Sequence, residues 1–225
     1  MKSLKRNIPL LAFVVLIMAC NNTNQTVAVP AAFETKQLTS MMQNPQSVSK
    51  ESIAKIAGTD ASKIKVYNEN FSPDVSNRTI LFSWANGEKK SVKTTDGKEL
   101  ELDAYSSLGI GFVAKISKAD FQKKYESKTA IQEEINRITK DETIDADIAI
   151  AEAKDWAANA KTQRFEKLDN VGELAYWETP VNALHIFAKD ICFTVTTNLV
   201  DEKASKEKAI ELAQFVFNNP QKPSK

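Results

Sequence analysis

Two cysteines and one histidine are all that the 225 residues hold of the side chains most used for metal binding and nucleophilic chemistry. A classical zinc site takes four ligands drawn mainly from these types, and Cys20, His185 and Cys192 are too few and too scattered to build one. Glycine is scarce as well, six in all. None of the six forms a phosphate-cradling loop or a Gly-x-Ser-x-Gly elbow, and no His-Glu-x-x-His helix is present. An excess of charge of one sign is also missing: 30 basic and 29 acidic residues leave +1. The two signs are interspersed, which removes the electrostatic case for binding nucleic acid or lipid head groups. Finally, no apolar run reaches the roughly 20 residues of a spanning helix. The longest runs only from Ile8 to Ala19.

That short run is nevertheless informative. Lys2, Lys5 and Arg6 precede it, Cys20 follows it directly, and a polar stretch from Asn21 to Thr26 comes next. A basic start and a short apolar core are the parts of an export signal. Leu16, Ile17, Met18 and Ala19 before Cys20 resemble the lipobox of bacterial lipoproteins, with Met18 unusual at a tolerant position. The resemblance implies cleavage between Ala19 and Cys20, removal of residues 1–19 and a lipid on the Cys20 thiol. Losing Lys2, Lys5 and Arg6 takes three positive charges from +1 and leaves −2. Several acyl chains on one cysteine hold a protein to a membrane without any spanning helix. Asn21 rather than Asp after the cysteine resembles the sorting pattern of outer-membrane lipoproteins facing the periplasm. The absence of an acid before Glu34 disfavours a surface-export signal.

About 200 residues then remain, enough for one domain with a core. Residues 20–45, rich in Asn, Thr, Gln and Ala, read as the lipidated cysteine and a flexible spacer, with at most a short helical piece near Leu38 to Met42. Residues 46–218 read as a single domain, and 219–225 as a polar tail. Within the domain, Ser49 and Gly58 bracket a helix. Strands follow at Ile64 to Tyr67 and Arg78 to Trp84, the latter ended by an Asn86-Gly87 turn. Lys90 to Thr94 and Glu99 to Leu102 form a hairpin. Leu108 to Ile116 is a longer strand whose Gly109 and Gly111 imply a bulge or a close approach. Ser117 and Asp120 begin a helix. Another spans Asp145 to Ala160. Strands return at Arg164–Leu168, Leu174–Glu178, Ala183–Ala188 and Ile191–Asn198, and an amphipathic helix closes the domain from Lys203 to Asn218. Tight hairpins imply an antiparallel sheet, and grouped helices imply an α+β domain with helices covering one face.

The layout is similar to bacterial lipoproteins with a PsbP-like α/β sandwich. The similarity rests on the helix carrying Ser49, Glu51, Ile56 and Gly58, the strand ending at Trp84, and the segment Val171-Gly172-Glu173-Leu174-Ala175-Tyr176-Trp177 before a hairpin and a last helix. It covers most of residues 46–218. It implies a fold and a location but no chemistry.

Few residues suit an active site. His185 alternates with apolar neighbours in a strand and reads as a packed or solvated histidine. Cys192, inside Ile-Cys-Phe-Thr-Val, reads as a small buried apolar group. Asp141, Glu142, Asp145 and Asp147 lack the spacing of a calcium loop and read as helix-capping acids. A hydrolase built on Glu173 or Glu178 would need two carboxylates in one cleft. Trp84, Tyr176 and Trp177 are the candidate recognition surface, with Tyr176 and Trp177 on opposite faces of their strand. The expectation is a non-enzymatic, membrane-anchored module without cofactor or metal, whose partner is an unknown envelope protein. The alternative is a small-ligand carrier with a cavity lined by Phe112, Trp156 and Phe187.

Overall fold

Local signals set most of the elements. The structure, a computed structural model, describes residues 26–69, 77–126 and 163–219, together with 74, 136–137, 139–140, 145, 147–148, 150–151 and 154. Ser49 caps helix α2 (Lys50–Ala57) by accepting the Ser52 amide, and Gly58 closes it in the left-handed conformation. Ser117 accepts the Asp120 amide at 3.1 Å to start α3 (Lys118–Glu126). Asp201 caps α4 (Glu202–Asn218) through the Lys203 amide. Such caps satisfy donors that the first helical turn leaves free.

The strands are β1 (Lys65–Glu69), β2 (Thr79–Lys93), β3 (Glu99–Lys115), β4 (Arg164–Leu168), β5 (Leu174–Thr179), β6 (Ala183–Ala188) and β7 (Ile191–Asn198). They form one antiparallel sheet in the order β1-β2-β3-β7-β6-β5-β4. The expected α+β class with an antiparallel sheet is what the described residues show.

Three expectations change. The segment read as a spacer is part of the fold from Val27 onward. Helix α1 (Thr35–Gln43) buries Leu38, Met41 and Met42. Pro45, Val27 and Phe33 are buried as well. The Phe33 ring meets the edge of Phe217 on α4 at 5.0 Å. The reason is local: Leu38, Met41 and Met42 recur at i, i+3 and i+4, and Gln37 reaches back to accept the Glu34 amide at 3.2 Å. The domain therefore begins near Val27 and not at residue 46. Residues 1–25 and the tail 220–225 lie outside the described residues.

Second, Asn86-Gly87 does not end β2. The register passes from Ala85↔Tyr105 to Lys89↔Asp103, so β2 advances four residues while β3 advances two. The surplus is a bulge, and Gly87 adopts its φ of 88°. A bulge and a turn call on the same left-handed glycine, so the dipeptide alone does not separate them. The two short hairpin strands read near residues 90–102 are thus the outer part of β2 and β3.

Third, helices cover both faces. On one face α1, α2 and α4 pack on Ile80, Phe82, Leu108, Ile110, Trp177, Leu184, Ile186, Phe193 and Val195. On the other, Phe121 of α3 packs on Leu174, Tyr176 and Phe187. Gly109 and Gly111 sit where β3 is crowded by its neighbours. A Cβ on Gly109 would overlap the Thr196 hydroxyl, and one on Gly111 would come within 2.9 Å of the Arg78 carbonyl. The expected close approach is there, and a second bulge follows between Gly111 and Ala114.

Candidate functional site

Two consecutive tight hairpins set the first candidate. β5 pairs with β6 so that Tyr176 faces His185, and β6 pairs with β7 so that His185 faces Thr194. Glu178, two residues beyond Tyr176, then stands diagonally across from His185. The imidazole joins both neighbours: Nε2 lies 2.7 Å from a Glu178 carboxylate oxygen and Nδ1 lies 3.0 Å from Thr194 Oγ1. A carboxylate only accepts, so Nε2–H donates to Glu178, while Nδ1 and the Thr194 hydroxyl share the second bond. Gln163 donates its side-chain amide to the other Glu178 oxygen. Burial opposes the charge on Glu178, yet the hydrogen bonds from His185 and Gln163 outweigh it and hold the carboxyl below its usual value.

Helix α3 closes this layer. The Tyr125 ring stacks on His185 at 4.6 Å and on Tyr176 at 5.3 Å. Burial pushes the Tyr125 phenol well above its usual value. Beside it, Glu126 accepts from the Tyr176 hydroxyl, from Gln122 at 2.7 Å and from Lys167 at 3.1 Å. These bonds, Tyr176 first, pull the Glu126 carboxyl down to about 2. Burial, with Glu126 accepting its hydrogen bond, pushes the Tyr176 phenol up.

A carboxylate, an imidazole and a hydroxyl joined in this order can activate the hydroxyl as a nucleophile. Here Thr194 is only 7% exposed, Glu178 8%, and Tyr125 lies over the ring. Every side-chain polar atom of the trio is spent on another member or on Gln163, and the Tyr125 ring covers the imidazole. The layer fastens α3 to the sheet. Of the two expectations for His185, packed or solvated, this placement is the packed one. Its partners were not anticipated, although the hairpin spacings contain the signal.

The three aromatic candidates come next, of which Tyr176 belongs to this layer. Trp84, Tyr176 and Trp177 are 6%, 2% and 2% exposed. They are core residues and offer no recognition surface. Tyr176 and Trp177 do point to opposite faces, as alternation requires, but both faces are covered. Glu173 accepts the Lys189 amide at 2.6 Å and shares no partner with Glu178. Phe112 is exposed while Phe187 is buried under α3, so the two line no common cavity, and Trp156 lies outside the described residues. Cys192 is half-buried at the edge of the α3 cluster, and burial raises its thiol. Asp145 accepts the amides of Asp147 and Ile148, the capping role expected of it. Asp141 and Glu142 lie outside the described residues. Among the described residues no cluster of three His, Cys, Asp or Glu side chains could hold a metal ion. No described helix is long and apolar enough to cross a membrane. Cys20 lies outside the described residues.

The second candidate is the outer part of the β2–β3 hairpin, which forms an arm. β1 reaches only as far as Ser83 on β2, and β7 only as far as Ser107 on β3. Beyond those points neither strand has an outer neighbour among the described residues. One face of the arm carries Val92 opposite Leu100, with Leu102 next to it, at 37%, 48% and 50% exposure. Strand alternation puts Leu100 and Leu102 on the same side as core residues Leu108 and Ile110. The opposite face carries Lys89 and Asp103, paired at 2.6 Å, with Glu101 and Tyr105. No family model, no curated protein and no solved structure matches this chain.

Proposed function

We propose that the protein is a membrane-anchored envelope lipoprotein that acts as a non-enzymatic binding or accessory module. The anchor is the lipid on Cys20, and the location is the outer membrane, facing the periplasm. The observation that carries the binding role is the arm. It holds an apolar strip outside the core with two strand edges unpaired among the described residues, and such features mark sites where another chain docks. The layer around His185 supports the non-enzymatic part, because the side-chain polar atoms of Glu178, His185 and Thr194 are already bonded to one another and to Gln163. The finer resemblance, a PsbP-like α/β sandwich, draws support from the Ser49–Gly58 helix ahead of the first strands, and from Val171–Trp177 entering β5 before the last hairpin and α4.

The test is fractionation of cells making the full chain or Cys20→Ala. The wild type should sediment with membranes, and the variant should move to the soluble fraction. Unchanged membrane association of Cys20→Ala would overturn the anchor.

A further inference from the structure

We infer that the sheet stands with its β4–β5 turn toward the membrane and its β2–β3 arm pointing away from it. The inference rests on lipidation of Cys20 and goes beyond it, because a lipid alone fixes no orientation.

The tether is short because the fold starts early. Val27 is locked at the β4–β5 turn: its amide donates to the Asn170 carbonyl at 2.6 Å, and its carbonyl accepts from the Gly172 amide at 2.9 Å. Its side chain is 2% exposed, in the core with Val171. Seven Cα–Cα steps, across the six residues Asn21 to Thr26, join Cys20 to Val27. At 3.3–3.6 Å per residue they span at most about 25 Å, whatever their conformation. A spacer running to residue 45 would have left the domain free to tumble at several times that distance.

The topology then gives the direction. β5 begins at the Val27 end of the sheet, β6 finishes there, and β7 leaves it from Ile191 toward Asn198. β3 runs antiparallel to β7, with Lys115 beside Ile191 and Ser107 beside Asn198. The arm therefore continues past the opposite end. Its eight residues from Ser107 back to Glu99 add about 26 Å at 3.3 Å each. The whole of β3 places the tip at Thr95 about 55 Å from the Lys115 end on the same rise. The side chain of Lys189, in the β6–β7 turn beside Val27's end, also reaches the carbonyls of Ala31 and Phe33, which ties the incoming chain to this end a second time.

The apolar strip of Val92, Leu100 and Leu102 is thus carried outward, beyond the reach of the bilayer that holds the lipid. The turns at Asn170 and at Lys189–Asp190 are the parts that face it.

Energy transfer tests this. A donor dye is placed at Asp190→Cys or at Thr95→Cys, both exposed turn positions, in a full-length lipidated Cys192→Ala background. Each protein is reconstituted into phosphatidylcholine vesicles carrying an acceptor on the head groups. Transfer should be several-fold stronger from position 190 than from position 95. Inserting a twenty-residue Gly-Ser linker after Gln25 should remove most of that difference, since a flexible chain of that length spans roughly 25 Å on average and lets the domain turn over. Equal transfer from the two positions on vesicles that carry the protein would overturn the orientation alone. Protein that fails to float with the vesicles would overturn the anchor and the orientation with it.

Discussion

The part of the sheet under α3 and the arm of β2–β3 are built from the same antiparallel ladder, yet they end in opposite states. Under α3, polar and aromatic side chains are buried together and each finds a partner: Glu178 with His185 and Gln163, His185 with Thr194, Tyr176 with Glu126. On the arm, apolar side chains stand in solvent and the outer strand edges have no partner strand among the described residues. Buried polar groups without partners cost free energy, whereas exposed apolar groups cost the folded chain little. The first region therefore reports on stability, and the second carries the proposed docking role.

The largest effect should come from the core under α3. Phe121 is fully buried between Tyr125, Tyr176 and Phe187. Phe121→Ala should cost about 3–5 kcal/mol in chemical denaturation. If the variant lost less than about 1 kcal/mol, α3 would not be a packed element. Next comes Thr194→Val, which leaves His185 Nδ1 buried and unpaired. It should cost about 1–3 kcal/mol, and Glu178→Gln a similar amount. If the trio were catalytic and not structural, these variants would spare stability and abolish an activity.

Acid should act through the same region. Glu126 and Glu178 both have folded-state values below their usual 4.5. A lowered carboxyl contributes stability that is full above the unfolded value and is lost as pH falls through the folded one. Stability should therefore decline from just above pH 4.5 down to about 2, the value for Glu126. Glu126→Gln should flatten that decline by lowering stability at neutral pH, so that variant and wild type converge towards pH 2. An unchanged acid limb in the variant would remove Glu126 from the account.

The smallest effect belongs to the arm. Leu100→Ser with Leu102→Ser should shift stability by no more than about 0.5 kcal/mol for each residue, because both side chains are already about half exposed. Hydrogen exchange should show the same contrast without mutation, with amides of residues 88–104 less protected than those of β5 and β6. Equal protection would mean that the arm is covered.

Much of this frame was legible in the residues. Ser49, Gly58 and Ser117 announce their helix ends by local chemistry. The strands from Arg164 to Asn198 announce themselves by alternation and tight turns. What stayed hidden depended on distant parts of the chain. Leu38, Met41 and Met42 form a helical stripe, but only their burial beside α4 separates a packed helix from a polar spacer. Tyr176 and Trp177 are correctly placed on opposite faces by alternation, yet nothing local says that α3 covers one face and α1, α2 and α4 the other. Gly87 fits a turn and a bulge equally well. The Glu178–His185–Thr194 contact needs the register of two hairpins at once, and with it the positions seven and nine residues apart become neighbours.

The most direct test of the account is the intact mass of the protein extracted from membranes, with sequencing of its first peptide. The account predicts a chain that begins at Cys20 and carries a diacylglyceryl group on its sulfur. A chain that keeps residues before Cys20, or one that starts at Cys20 with a free thiol, would contradict it.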